Sequence, residues 1–206
     1  DRRCRVSVSL PVLDPPAPAN PGSLAPKRRA AATVALVGNP NTGKTCLFNA
    51  LTGLRAKTAN FAGTTVDLRV GKTTLGPGHA DRETTVELLD LPGLYSLEPA
   101  TEDERVAVRV LHGLIGHKGV PDAILLVLDA TNLERSLYLA SQVVSLGRPT
   151  VVAVNLVDAA RRAGIRIDPA ALARRLGCEV VPLSARTGEG LAALRQTLLT
   201  TLAIAA

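Results

Sequence analysis

The chain has 206 residues, 46% of them hydrophobic, enough for one domain with a full core. Aromatics are only 2% (Phe48, Phe61, Tyr95 and Tyr138, with no Trp), which argues against a single-strand nucleic-acid binder, because such proteins need stacking platforms. The net charge is +6, but four of those charges fall in residues 1–30, so charge does not assign a polyanionic partner to the rest of the chain.

Residues 1–30 read as a basic, Pro-rich tail or linker. Six of the 14 prolines lie there, between Pro11 and Pro26. Such a segment buries too little apolar surface to offset its ordering entropy. No run approaches the roughly 20 apolar residues of a membrane-spanning helix. With Asp1 first and no Met, the chain reads as a fragment. Cys4, Cys46 and Cys178 are odd in number and lack metal-ligand spacing, which fits a reducing compartment.

From Thr33 the pattern becomes that of a folded domain, expected over residues 31–206. Val34–Val37 is a buried strand that runs into a Gly-rich turn, and Thr45–Leu54 follows with helical spacing. Val66–Leu75 and Thr84–Leu89 are strands joined by the turn Gly76-Pro77-Gly78. Glu102–Ile115 is a helix with Val106, Val110 and Leu114 on one face. Ala123–Leu128 is a strand, Leu133–Leu146 a helix and Thr150–Val154 a strand. Asp168 and Pro169 open a helix that Gly177 closes. Val180–Leu183 is the last strand, and Leu191–Leu202 the last helix. Strands apolar on both faces, alternating with helices, predict an α/β fold with a mostly parallel six-stranded sheet covered on both sides.

The segment Gly38-Asn39-Pro40-Asn41-Thr42-Gly43-Lys44-Thr45 matches G-x-x-x-x-G-K-[ST] between a strand and a helix. There the loop amides and the helix N-terminus cradle phosphates, Lys44 reaches the β- and γ-phosphates, and the Thr45 hydroxyl binds Mg²⁺. Asp90-Leu91-Pro92-Gly93 follows a strand, so that Asp90 can hold Mg²⁺ through water and the Gly93 amide can sense the γ-phosphate. Asn155-Leu156-Val157-Asp158 also ends a strand. An Asn and an Asp so spaced can read guanine, whose N1–H and 2-amino group both donate to the carboxylate. Ser184-Ala185-Arg186 follows the last strand, where a backbone amide can meet guanine O6. In this order the motifs describe a guanine-nucleotide switch domain with a Ras-like P-loop fold. Its moving loops are residues 55–66 and 90–105.

Residues 33–203 also resemble the G domain of the bacterial ferrous iron transport protein B family. The resemblance lies in GNPNTGKTCLFNALTG (38–53), NFAGTTVD (60–67), DLPGLYSL (90–97), DERVA (103–107) and DATNLERSLYLASQ (129–142). It implies that Thr65 closes on Mg²⁺ and the γ-phosphate. It implies that Asn41, with the carbonyls of Ala59 and Phe61, holds a K⁺ that accelerates an otherwise slow GTP hydrolysis. The family's usual Trp-Pro is Phe61-Ala62 here, Thr64 replaces an apolar residue, and Cys46 replaces a hydroxyl residue beside the α-phosphate. Cys46 is expected as a small buried residue. The implied role is the GTPase switch, binding GTP/GDP with Mg²⁺ and K⁺, of a ferrous iron transporter at the cytoplasmic face of the bacterial inner membrane. A helical spacer and a transmembrane region would follow in the parent protein. No nucleic-acid partner is expected, and a homo-oligomer stays open. Two alternatives share the motifs: a ribosome- or RNA-associated GTPase, and a non-hydrolysing guanine-nucleotide sensor.

Leu94 stands where Ras-like enzymes place a water-orienting Gln, and no side chain stands out as general base. Glu98, Glu102, Asp103 and Glu104 read as the charged first turn of a helix. Arg161, Arg162, Arg166, Arg174 and Arg175 read as a solvated face. His79, His112 and His117 have no ligand spacing.

Overall fold

The computed structural model describes residues 31–54, 56–60, 67–76, 84–115 and 119–205. The tail 1–30, the tip of the 76–84 turn, Phe61, Thr65 and the histidines at 79 and 117 lie outside them. Seven strands form one sheet in the order β2-β3-β4-β1-β5-β6-β7. They are β1 (Ala32–Gly38), β2 (Ala56–Asn60), β3 (Asp67–Leu75), β4 (Thr84–Asp90), β5 (Ala123–Asp129), β6 (Thr150–Asn155) and β7 (Glu179–Pro182). β3 pairs antiparallel with both β2 and β4, and every other pairing is parallel.

The strands alternate because each side chain must enter one of two apolar layers. Val34 and Leu36 of β1 face one layer, while Ala35 and Val37 face the other. β5 divides in the same way, with Leu125 and Val127 on one side and Leu126 and Leu128 on the other. The first layer is closed by α1 (Lys44–Thr52) and α6 (Leu191–Ala205), through Leu47, Phe48, Leu51, Leu194 and Leu198. The second is closed by α2 (Glu102–Leu111), α3 (Leu133–Ser145), α4 (Val157–Arg162) and α5 (Pro169–Leu176). The parallel strands therefore end on one rim, the place where open α/β sheets bind ligands.

Three expectations change. The sheet has seven strands rather than six, because Ala-Lys-Thr-Ala-Asn forms edge strand β2. That segment has no apolar alternation and pairs only with β3, with Ala56 resting against the core, so its pattern carried no strand signal. α4 was also not anticipated, being a six-residue helix without apolar periodicity. α2 stops at Leu111 rather than Ile115, so Leu114 is 69% exposed instead of sharing the buried face of Val106 and Val110. Asp168 caps α5 as expected, accepting from the Ala171 N–H at 2.9 Å.

One residue with no motif ties α1 to the sheet. Arg195 on α6 donates to Thr73 Oγ1 at 2.7 Å, to the Thr74 carbonyl at 2.9 Å and to the Leu51 carbonyl at 3.0 Å. Thr73 in turn donates to the Leu51 carbonyl at 2.6 Å. Burial lowers the Arg195 pKa from its ordinary value. We expect Arg195→Ala to destabilise the fold by about 2 kcal/mol, because it removes the charged donor shared by Thr73, the Thr74 carbonyl and the Leu51 carbonyl. Urea denaturation would measure this, and an unchanged midpoint would contradict it.

Candidate functional site

The loop from Gly38 to Lys44 bridges the C-terminal end of β1 and the start of α1. Gly43 caps the helix at φ 77°, in the left-handed region, and a Cβ there would collide with the side-chain amide of Asn155. The Thr42 hydroxyl donates to the Asn39 carbonyl at 3.0 Å and closes the loop. Asn41 also has positive φ, at 67°, a conformation that Asn tolerates better than most residues. Its side chain is exposed, with no hydrogen-bond partner among the described residues. Asn39 is only 2% exposed, yet neither its Oδ1 nor its Nδ2 has a partner among the described residues. Buried polar groups left so in a native fold point to a bound water or ligand.

These residues surround a cavity of about 410 Å³ lined by Asn39, Pro40, Asn41, Gly43, Lys44, Thr45, Cys46 and Gly93. Cys46 is exposed here, not buried as its small size suggested. The buried residues of α1 are Leu47, Phe48, Leu51 and Thr52, and Cys46 lies outside that set in the first turn. A larger cavity of about 980 Å³ lies among Lys57, Lys72, Glu87 and Arg195. It sits by the C-terminal end of α1, away from the helix N-terminus that favours phosphate.

Asp90 ends β4 beside the smaller cavity, where it meets Lys44 of the cavity lining. Lys44 Nζ donates to Asp90 Oδ1 at 2.8 Å and also to the Leu91 carbonyl. Both side chains are nearly buried, at 11% and 6% exposure. The following loop is seated on the phosphate loop. The Leu91 N–H donates to the Leu36 carbonyl at 3.2 Å, and the Leu94 N–H to the Gly38 carbonyl at 3.1 Å. Gly93 lies so close to Pro40 that a Cβ would come within 2.8 Å of its Cγ. Leu94 is fully buried and part of the core.

Asn155 ends β6 and is 1% exposed. Its Nδ2 donates to the Thr42 carbonyl at 2.9 Å, and its Oδ1 accepts from the Ala185 N–H at 2.9 Å. The Ala185 amide is thus held by Asn155, while the Ser184 amide donates to the Glu189 carbonyl. Asp158 lies in the first turn of α4, with Oδ2 accepting from Arg186 at 2.6 Å and from Arg162 at 3.1 Å. Arg186 foremost, then Ser184 and Arg162, hold the Asp158 carboxyl far below the usual carboxylate range. Its contribution to stability is present above the unfolded pKa of about 3.9 and is lost only as pH falls through the lowered folded value.

The structure thus brings Gly38–Cys46, Asp90, Gly93, Asn155, Asp158 and Ser184–Arg186 to one rim. Thr65 and Phe61 lie outside the described residues. Ala59 is placed by its backbone in β2, opposite Leu68. Of the acidic residues after Gly93, Glu102, Asp103 and Glu104 form the first turn of α2, whereas Glu98 lies in the loop before it rather than in the helix. Thr101 and Glu104 form a capping box, and Glu102 pairs with Arg105 at 3.0 Å. Of the basic set, Arg161 pairs with Glu189 at 2.8 Å and Arg162 with Asp158. The links made by Asn155, Arg186 and Arg195 are long-range, so no local pattern announces them. A buried-strand end at Asn155 was the one usable signal.

A family model for ferrous iron transport protein B matches residues 32–198. The chain belongs to the ferrous iron transport protein B family. It is 44% identical over 168 residues to the Fe(2+) transporter FeoB of Legionella pneumophila strain Paris, covering 80% of this chain and 21% of that protein. It is 44% identical over 167 residues to FeoB of Salmonella typhimurium strain LT2, covering 79% and 20%. The chain therefore spans about a fifth of the length of these curated relatives, 21% in the first case. Among solved structures, it is similar to the cytosolic domain of L. pneumophila FeoB, at 42% identity, TM-score 0.72, and 82% and 68% coverage of the two chains. The T. maritima FeoB cytosolic domain in its GMPPNP form gives 40% identity, TM-score 0.73, and 82% and 63% coverage. The FeoB G-domain of Methanococcus jannaschii gives 32% identity, TM-score 0.66, and 84% and 98% coverage. The chain is thus a G domain of this family, with a Ras-like α/β fold. No helix among the described residues is long and apolar enough to cross a membrane.

Asn155→Ala would leave the Thr42 carbonyl and the Ala185 amide without their buried partner. We expect a loss of about 2–3 kcal/mol in unfolding free energy, with Asn155→Asp recovering part of it through the Ala185 bond. Calorimetric or urea unfolding of the two variants checks this. Equal stability to wild type would contradict the tie.

Proposed function

We propose that this G domain binds GTP and GDP, hydrolyses GTP slowly, and acts as the nucleotide switch of a ferrous iron transporter controlling Fe(II) uptake. The observation that carries the reading is the buried Asn39 with no partner for its amide atoms, set in a cavity with Lys44 and Thr45 on one wall and Gly93 on the other. The loop amides, the N-terminus of α1 and Lys44 supply the positive potential that a triphosphate requires. Asp158 and the 184–186 loop would read the guanine.

The donor set fits Mg²⁺, a hard cation that prefers oxygen. The exposed Thr45 hydroxyl lines the cavity, and the Asp90 carboxylate reaches the Lys44 ammonium at its edge. Thr45, Asp90 and Thr65 would hold the ion, which neutralises phosphate charge when bound. The unpartnered side chain of Asn41 equally fits a K⁺ ligand, with the Ala59 and Phe61 carbonyls completing the set. This chain's own residues do the rest. Lys44 would exchange Asp90 for phosphate oxygens, and the Gly93 amide would donate to the γ-phosphate. Among the described residues, the cavity lining contains no carboxylate and Leu94 is buried, so no described side chain of the lining is placed to take a proton from water. That lining supports a reading of slow hydrolysis that depends on cations. The same absence favours a second reading, a sensor that binds without hydrolysing. The domain would work at the cytoplasmic face of the inner membrane, joined to the rest of the transporter.

A GTPase assay in KCl against NaCl separates these readings. We expect a rise on the order of tenfold specific to K⁺, the scale of replacing one transition-state charge stabiliser. No activity in either salt would overturn the enzyme reading. Asn41→Gly keeps the positive φ that Ala would strain, and should abolish the K⁺ response while leaving GDP affinity nearly intact. A retained response would remove Asn41 from the K⁺ site.

The exposed Cys46 thiol gives an independent probe of occupancy. Alkylation mapped by mass spectrometry should modify Cys46 in the protein alone, and GDP should slow that modification at least about tenfold if its phosphates bury the first turn of α1. Equal modification with and without GDP would place the phosphates elsewhere.

A further inference from the structure

The loop between β4 and α2 is tied to the phosphate loop at one end and to the cap of α2 at the other. Near its start the Leu94 N–H donates to the Gly38 carbonyl at 3.1 Å, and at its far end the Ala100 N–H donates to Glu104 Oε2 at 2.8 Å. Between these points two bonds come from α3. The Leu97 N–H donates to Gln142 Oε1 at 2.8 Å, and the Tyr95 hydroxyl accepts from Arg135 Nη2 at 2.9 Å. The Arg135 guanidinium carbon also lies 4.9 Å from the centre of the Tyr95 ring. Gln142 in turn donates through Nε2 to the Tyr138 hydroxyl at 3.1 Å.

Arg135, Tyr138 and Gln142 stand at spacing i, i+3, i+7, so they form one stripe along α3. The stripe is about 10 Å long and meets the loop at two points. α3 is a firm support, with Leu139, Ala140 and Val143 fully buried. None of the three stripe residues lines the smaller cavity, whereas Gly93, just upstream of Tyr95, does. The Gly93 N–H forms no hydrogen bond among the described residues. We propose that Gln142 and Arg135 are positioning residues, which act through the loop after β4 to hold the Gly93 amide where the γ-phosphate of GTP meets it. This rests on the reading of the 38–45 loop as the phosphate site.

GDP has no γ-phosphate, so its binding does not draw on the Gly93 amide. A triphosphate does draw on it. If the loop wanders, only a fraction of the molecules present that amide in place, and the apparent affinity for a triphosphate falls by that fraction. The α3 stripe raises the fraction without touching the nucleotide. Arg135 is exposed and Gln142 half-buried, so losing either bond frees the loop and leaves the core packed. Leu94 stays fully buried beneath the loop, which limits how far the freed segment can travel.

Titration of the whole chain with GDP and with the triphosphate analogue GMPPNP, each with Mg²⁺, reads the effect as a ratio. Gln142→Ala should lower GMPPNP affinity about three- to tenfold, with GDP affinity nearly unchanged. Arg135→Ala should lower the GMPPNP:GDP ratio about two- to threefold, and carries the test if the first variant does not fold. Gln142→Glu keeps an acceptor for the Leu97 N–H and should restore most of the ratio. An unchanged or higher ratio in the folded variants would overturn the proposal. A purely structural role would weaken both nucleotides together and leave the ratio alone, and a higher ratio would mean that α3 holds the amide away from the phosphate. A lowered ratio that Gln142→Glu fails to restore would also overturn it, by assigning the effect to bulk at position 142. A wild-type chain that binds neither nucleotide would remove the phosphate-site reading itself, and the proposal with it.

Discussion

The rim of the sheet is organised by the Asn155 side chain. Its amide joins the Thr42 carbonyl of the phosphate loop to the Ala185 amide of the loop after β7. These segments follow β1 and β7, and Asn155 itself ends β6. With both polar ends bonded and the residue 1% exposed, the three loops cannot drift independently. Gly43 shows how tight the joint is, because only a residue without Cβ fits against the Asn155 amide at that positive φ. The loop between β1 and α1 and the loop after β7 are therefore mechanically one unit.

A second joint runs between the phosphate loop and the loop after β4. Lys44 reaches Asp90 and the Leu91 carbonyl, while backbone bonds from Leu91 and Leu94 stitch the loop to β1 and Gly38. The charges of Lys44 and Asp90 balance each other inside a nearly dry wall. A phosphate group can satisfy Lys44 as well as Asp90 does, so exchange between them need not leave a buried charge alone. Leu94 fills the core where a polar side chain could have faced water. Among the described residues, the cavity lining thus offers donors and contains no carboxylate.

Much of this was legible in the residues alone. Apolar strands and the Gly-rich turn before Lys44 placed β1, α1 and the rim, because burial on both faces leaves a strong pattern. Asp168-Pro169 and Gly177 bounded α5 to the residue, because caps are local chemistry. Edge strand β2 escaped, since the ladder to β3 places Ala56–Asn60 and leaves no apolar alternation to read. The exposure of Cys46 escaped because it depends on which face α1 turns to the sheet. The pairing of Asp158 with Arg186 and the reach of Arg195 to α1 escaped for a different reason. Both join residues distant in the chain, and neither has a spacing to read.

The central claim is that these tied loops form one site for a guanine nucleotide. Titration calorimetry of the purified chain with GDP and with ADP, each with Mg²⁺, tests it most directly. The account predicts saturable GDP binding at one site per chain and ADP binding weaker by at least about a hundredfold, since adenine cannot donate to Asp158 in guanine's manner. Equal affinity for the two nucleotides, or none for either, would contradict it.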